Sequence, residues 1–179
     1  TSPRPLNVRS ITSLEVTGPH GLVLGRGPAS WSIYRNGWNS WSRAQAVKLD
    51  QSDRDPWLPT ISMTAVDPAV RRSRRPGHLR SELVTAIADT EEGDALVLGY
   101  VRGDGAFSVI DLDAPNGALN RLSAMCLLDD VILEPGAATQ AEPLLIADGP
   151  AGWDLLCLWA DELAERTAAR VPERPPGGW

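Results

Sequence analysis

The chain has few of the residues that carry most enzyme chemistry, with two histidines and two cysteines among its 179 residues. Metal sites and disulfide frameworks need more of both residue types. A Ser–His–Asp hydrolase needs a nucleophile on a sharp turn, and no segment has that pattern. No glycine loop that could hold a phosphate is present either. The sequence therefore indicates no Ser–His–Asp catalytic triad, and we expect no metal and no cofactor.

The two cysteines, Cys126 and Cys157, stand 31 residues apart in apolar surroundings. We expect both to be buried free thiols. Because this usage is typical of a reducing compartment, it predicts a cytoplasmic location.

Long apolar runs and a basic face are also missing. No run approaches the ~18–20 residues that span a bilayer, so we expect no membrane partner. The net charge of −6 indicates no nucleic-acid partner. The charge is uneven: residues 1–90 carry 12 Lys/Arg against 7 Asp/Glu, and residues 91–179 carry 5 against 16.

The dominant pattern is short β-type runs separated by Gly, Pro and Asp. About nine or ten such runs predict an antiparallel sandwich over residues 1–150. The runs lie at 10–17, 21–25, 31–34, 60–66, 83–88, 95–101, 107–112, 124–128, 131–133 and 139–146.

The run at 95–101 is apolar throughout, which is typical of a strand covered on both faces. Residues 102–105 suit a tight turn, so we expect this run to form a hairpin with 107–112. This turn contains Arg102-Gly103-Asp104, a cell-adhesion tripeptide that a hairpin turn explains without that role.

One helix is predicted, from Trp153 to Arg170, with Leu155, Leu156, Trp159 and Leu163 on one face. Pro172 ends it. We therefore expect a linker helix over residues 151–172, packed on the sandwich, followed by a connector at 173–179.

Tryptophan is unusually abundant, with seven residues against one Phe and two Tyr. Trp31, Trp38 and Trp41 lie within eleven residues. Indole rings stack well on the C–H face of a sugar, so a loop could aim them at a ligand. The competing interpretation is that they are buried anchors.

The order of the motifs resembles the N-terminal β-domain of family 36 glycoside hydrolases, the α-galactosidases. The sequence N-G-W-N-S-W-S at 36–42 is similar to that family's N-x-W-Q-S-W signature. Residues 93–112 and 129–136 resemble its later hairpin stretches. Residues 176–179 resemble the start of the segment that opens its catalytic barrel.

The resemblance implies an antiparallel β-supersandwich of the galactose mutarotase-like type, followed in the parent protein by a (β/α)8 barrel. It implies a retaining α-galactosidase whose two catalytic carboxylates, ~5–5.5 Å apart, belong to the barrel. Those aspartates would lie beyond Trp179, so this chain alone is expected to hydrolyse nothing. Its expected partners are its own barrel and, through the full enzyme, α-galactosides.

The resemblance also implies two substrate-binding residues. Trp41, the second Trp of the motif, would reach the galactose pocket, and Trp38 would anchor the loop. Trp179 matches a structural Trp. The family usually has Gln where this chain has Asn39, a shorter amide that bears on the position of the loop.

Two other functions stay open. The chain could be an independent carbohydrate-binding module with Trp38, Trp41 and Trp57 as a platform, or a structural interaction domain. A sandwich that normally packs on a barrel should also expose an apolar patch, through which copies could form a homo-oligomer.

Several charged residues are weaker signals. Asp53 with Asp55, and Asp111 with Asp113, could suggest calcium or acid–base chemistry, but exposed turns explain them better. The basic run at 71–75 could bind phosphate or an acidic sugar, or be a solvated loop. His20 and His78 are expected in turns.

Overall fold

The computed structural model describes residues 3–37, 44–49 and 75–170. These residues form two antiparallel sheets and an α-helix, so the prediction of an all-β sandwich with a C-terminal helix is confirmed. The elements are listed here in chain order: β1 Leu6–Thr17, β2 Trp31–Arg35, β3 Gln45–Lys48, β4 His78–Glu82, β5 Val84–Asp89, β6 Asp94–Tyr100, β7 Phe107–Asp113, β8 Arg121–Leu133, β9 Leu144–Pro150 and the helix α1 Gly152–Arg166.

The four-stranded sheet has the order β1-β8-β7-β4, and the five-stranded sheet has the order β3-β2-β5-β6-β9. The core between them follows from alternation along each strand, since every second side chain of a strand points to the same face. In β2, Trp31 and Ile33 are buried in this core. From the facing sheet, Ile110 and Leu112 of β7 pack into the same cluster.

The helix α1 covers the outer face of the five-stranded sheet. Its residues Leu155, Leu156 and Trp159 pack against Val84, Ala86 and Val97, as the predicted apolar face requires. β6 is therefore buried on both sides, which explains its apolar composition. The helix ends at Arg166, short of the predicted Arg170.

The predicted hairpin between 95–101 and 107–112 is wrong. The strand β6 pairs with β5 and β9, whereas β7 pairs with β4 and β8 in the other sheet. Residues 102–105 therefore connect the two sheets. Arg102 Nε lies 2.6 Å from Asp104 Oδ1, so the two charges of the adhesion-like tripeptide pair with each other.

The predicted strand at 21–25 is a loop. Gly25 has a left-handed φ of 49°, and a Cβ there would collide with the side chain of Asp89. Leu24 is nevertheless buried, and its carbonyl oxygen accepts a hydrogen bond from Trp31 Nε1 at 3.0 Å. The apolar composition of residues 21–25 is therefore that of a strand, but the segment is a loop that buries one leucine.

Other boundaries also differ from prediction. The runs at 124–128 and 131–133 are one strand, β8, made irregular by Asp129 and Asp130 at positive φ. The run at 139–146 becomes a strand only from Leu144. Local patterns missed β3 and β4, and the run at 60–66 lies outside the described residues.

The cysteine prediction is half right. Cys126 is buried as a free thiol, but Cys157 is exposed because it lies on the solvent side of α1. Within the described ranges, no helix is long and apolar enough to cross a membrane.

Candidate functional site

The segment that carries the double-Trp motif joins β2 to β3, at residues 36–44. Trp38 and Trp41, the two predicted substrate-binding residues, lie outside the described residues, as do Asn39, Trp57 and Trp179. The first two residues of the motif, Asn36 and Gly37, are described. The structure therefore describes the point at which this loop leaves the sandwich.

Asn36 is tied to the β4–β5 corner by three hydrogen bonds. Its backbone N–H donates to Ser81 Oγ at 2.8 Å, and its side-chain Nδ2 donates to the carbonyl oxygen of Glu82 at 2.9 Å. The N–H of Glu82 donates to the carbonyl oxygen of Asn36 at 3.1 Å. Because both backbone groups and the side chain of Asn36 are engaged, the start of the loop has one fixed position.

The corner itself is a single residue, Leu83, which joins β4 in one sheet to β5 in the other. Leu83 has φ 65°, a left-handed conformation that costs a leucine free energy. Its N–H donates to the carbonyl oxygen of Ser108 at 3.0 Å, and its carbonyl oxygen accepts from Tyr100 N–H at 2.8 Å. Surrounding hydrogen bonds thus hold the strained residue in place.

Ser81 connects this corner to the loop. Its hydroxyl accepts from Asn36 N–H and donates to the carbonyl oxygen of Val84, across the corner. Ser81 is buried, so these two bonds satisfy a hydroxyl that would be costly to bury alone. The serine therefore couples the position of the loop to the conformation of the corner.

Charged side chains are buried close by. Arg35 and Glu82 are 2% and 4% exposed. Arg35 Nε donates to the carbonyl oxygen of Arg80 at 3.1 Å, and Thr85 Oγ1 donates to the carbonyl oxygen of Tyr34 at 2.8 Å. Buried charges are retained in proteins where hydrogen bonds and opposite charges compensate for lost solvation. The region is thus a polar, hydrogen-bonded framework under the loop.

The space beneath this framework is small. The cavity between Ile33, Arg35, Ser81 and Thr85 has a volume of about 10 Å³. That volume is enough for a single water at most. A sugar at this end of the molecule would therefore have to contact the loop itself rather than the described framework.

The other residues singled out in the sequence lie elsewhere. Asp111 and Asp113 belong to β7 rather than to an exposed turn, and His78 begins β4 rather than lying in a turn. Asp111 Oδ1 is 2.6 Å from Arg80 Nε, and Asp113 Oδ1 is 2.7 Å from His78 Nδ1. His20 lies in the turn after β1, as predicted. Asp53, Asp55 and residues 71–74 lie outside the described part.

The described ranges contain no group of three His, Cys, Asp or Glu residues that could hold a metal ion. The feature that the sequence did not indicate is the clamp, the three hydrogen bonds that tie Asn36 to Ser81 and Glu82. Asn36 belongs to the motif, but its partners are 45 and 46 residues away. No local pattern indicates that contact.

We compared the chain with protein-family models, with curated proteins and with solved structures, and none of the three comparisons gave a match.

Proposed function

We propose that this chain is the N-terminal, non-catalytic domain of a retaining α-galactosidase-like glycoside hydrolase. In this proposal the sandwich packs on a catalytic barrel and contributes Trp41 to the galactose pocket. Trp38 anchors the same loop. The catalytic carboxylates belong to the barrel, so the sandwich acts by positioning one aromatic wall of the site.

The observation that carries the proposal is the three-bond clamp on Asn36. A tryptophan that stacks on a sugar bound mainly by another domain must be held in place before the sugar binds, because ordering a loop on binding costs free energy. The clamp fixes the first residue of the Trp loop to the sandwich corner.

Two carboxylates on the four-stranded sheet also support a non-catalytic role for this chain. Asp111 is engaged with Arg80, and Asp113 is engaged with His78 and Asn120. Retaining glycosidases instead need one carboxylate free as a nucleophile and one as acid–base. These aspartates therefore serve better as ion-pair partners than as the reacting pair.

The proposal is tested with the product of the coding sequence extended beyond residue 179. The extended protein should hydrolyse an aryl α-galactoside, and residues 1–179 alone should not. Trp41→Ala should lower kcat/KM of the extended protein by about tenfold or more, the equivalent of about 1.4 kcal/mol of transition-state stabilisation. The matched control is Trp153→Ala, an indole that is 74% exposed on α1.

Three results would contradict the proposal. They are turnover by residues 1–179 alone, an extended protein without α-galactosidase activity, and a Trp41→Ala variant with unchanged kcat/KM. Saturable binding of galactose by residues 1–179 alone would instead identify an independent carbohydrate-binding module. Loss of stability without loss of kcat/KM in Trp41→Ala would assign the loop to scaffolding.

A further inference from the structure

A cleft of about 330 Å³ lies at the beginning of β4, where β4, β7 and β8 run side by side. Its polar lining consists of Arg75, His78, Asp111, Asp113 and Arg121. The volume is at the lower end of the ~300–1,000 Å³ range of small-molecule sites. His78 is four residues from Glu82, which is about 13 Å along a strand. The cleft is therefore separate from the clamp that holds the Trp loop.

The carboxylates of the cleft already have partners. Asp111 Oδ1 and Oδ2 accept from Arg80 Nε and Nη2 at 2.6 and 2.7 Å. Asp113 Oδ2 accepts from Asn120 Nδ2 at 2.5 Å. These bonds fix both carboxylates on the sheet, and Arg80 offsets the negative charge of Asp111. They leave lone pairs on the oxygens that can still accept from a hydroxyl group.

His78 is oriented by the same framework. Its Nδ1 lies 2.7 Å from Asp113 Oδ1, an oxygen that is buried from solvent and needs a donor. This contact occupies the Nδ1 side of the ring, so a ligand would meet Nε2. Nε2 accepts from a hydroxyl group when the ring is neutral, and donates to an anionic oxygen when the ring is protonated.

The two arginines of the cleft differ in their ion-pair partners. Arg121 Nη2 lies 2.5 Å from Glu15 Oε2. The guanidinium of Arg75, in contrast, makes no ion pair or hydrogen bond with the parts of the chain that the structure describes. Among the described residues, Arg75 therefore brings a positive charge without an ion-pair partner to the cleft, beside carboxylates that already accept hydrogen bonds. A guanidinium fork matches a carboxylate or phosphate group in a bidentate manner.

We propose that this cleft binds an acidic monosaccharide, a hydroxyl-rich ring that carries one carboxylate or phosphate group. Arg75 binds the anionic group, and Arg121 adds to the positive potential. His78 and the outer oxygens of Asp111 and Asp113 bind ring hydroxyls. This inference does not depend on the Trp loop, and it gives a role to the last arginine of the basic run at 71–75.

The test is calorimetric titration of residues 1–179 with galacturonate, with galactose 6-phosphate, with inorganic phosphate and with neutral galactose. One of the two acidic sugars should bind at least tenfold more tightly than galactose. Whichever binds more tightly identifies the anionic group as carboxylate or phosphate. Arg75→Gln should weaken this binding by about tenfold or more, because charge-assisted bidentate bonds are lost.

The matched control is Arg102→Gln, an exposed arginine that pairs with Asp104 outside the cleft and whose loss should leave affinity unchanged. His78→Gln is a second variant, and it should weaken binding without changing the thermal midpoint by more than the control does. The proposal is overturned if neither acidic sugar binds at concentrations up to about 50 mM. It is also overturned if Arg75→Gln binds like the wild type, or if phosphate alone binds as tightly as galactose 6-phosphate.

Discussion

Gly99 of β6 is the position at which α1 meets the sheet most closely. Trp159 lies over it, and Trp159 Nε1 donates a hydrogen bond to the carbonyl oxygen of Tyr100 at 3.0 Å. A Cβ at residue 99 would lie 2.9 Å from Cγ of the indole and closer still to its Cδ1 and Nε1. We therefore predict that Gly99→Ala destabilises the protein, although alanine in the middle of a strand is otherwise less costly than glycine.

The magnitude follows from the contact. Carbon atoms pack at about 3.5–4.0 Å, so the indole has to retreat by about 1 Å. Overpacking of this kind costs about 1–3 kcal/mol, and a lost hydrogen bond to the Tyr100 carbonyl adds about 0.5–1.5 kcal/mol. We expect Gly99→Ala to lower the free energy of unfolding by about 2–3 kcal/mol.

A double-mutant cycle with Trp159→Ala measures the contact directly. Trp159→Ala alone should cost about 3 kcal/mol, since a large apolar side chain is removed from the sheet. In that background Gly99→Ala should cost nothing, because no ring is left to collide with, and it should even gain about 0.5 kcal/mol of chain entropy. Urea denaturation of the four proteins gives the coupling energy.

The control is Gly103→Ala, where a Cβ would lie at an ordinary 3.5 Å from Leu83. Its free energy of unfolding should stay within about 0.5 kcal/mol of the wild type. If Gly99→Ala costs the same with and without the indole, the close approach of α1 to β6 is not the reason for glycine at this position.

Three further predictions concern the corner, a loop and the thiols. Asn36→Ala should lower the midpoint of thermal unfolding and increase proteolytic cleavage between β2 and β3, because the loop loses its attachment; unchanged cleavage would remove the clamp's positioning role. The backbone amides of Arg26 and Glu91 hold the pKa of Asp89 well below its ordinary value of 3.8, so its contribution to stability is complete above about pH 4 and is lost as the pH falls below it. Asp89→Asn should therefore have a lower free energy of unfolding than the wild type at pH 7. Between pH 5 and pH 3 this free energy should fall less in the variant than in the wild type, as measured by urea titrations. Parallel pH profiles of the two proteins would contradict this. In the folded protein, Ellman's reagent should modify Cys157 within minutes and Cys126 only on unfolding; equal rates would contradict the assigned burial.

Local pattern was enough to predict the helix and its packed face. The spacing of Leu155, Leu156 and Trp159 depends only on helical geometry. The ion pair between Glu162 and Arg166, four residues apart, has the same origin. The buried character of β6 was readable as well, because a strand covered on both faces has no polar positions. These features need no knowledge of distant contacts.

The assignment of the strands to the two sheets could not be predicted from the sequence. The turn chemistry at 102–105 suits a hairpin, but Val101 N–H instead donates to the carbonyl oxygen of Pro143 at 3.0 Å, which directs β6 towards β9. That partner is 42 residues away. The same turn residues can connect two strands of one sheet or two strands of different sheets. Only the pairing of each strand with distant partners decides between these two arrangements.

The candidate site shows the same limit. The motif at 36–42 could be read from the sequence, and so could the chemistry of its tryptophans. Its clamp could not, because it requires Ser81 hydrogen bonds and a leucine in a left-handed conformation at residue 83. Leucine carries no sequence signal for such a backbone, unlike glycine or asparagine.

The pairing of the first strand with the eighth has a consequence for synthesis of the protein. Leu6 lies opposite Leu133, and Thr17 lies opposite Arg121. A ribosome adds about 5–20 residues per second, so β1 waits roughly 5–25 s for β8, its sheet neighbour among the described strands, to be made. During that interval the unpaired backbone groups of β1 are exposed to other nascent chains, and a chaperone that binds extended segments would protect the strand most effectively there.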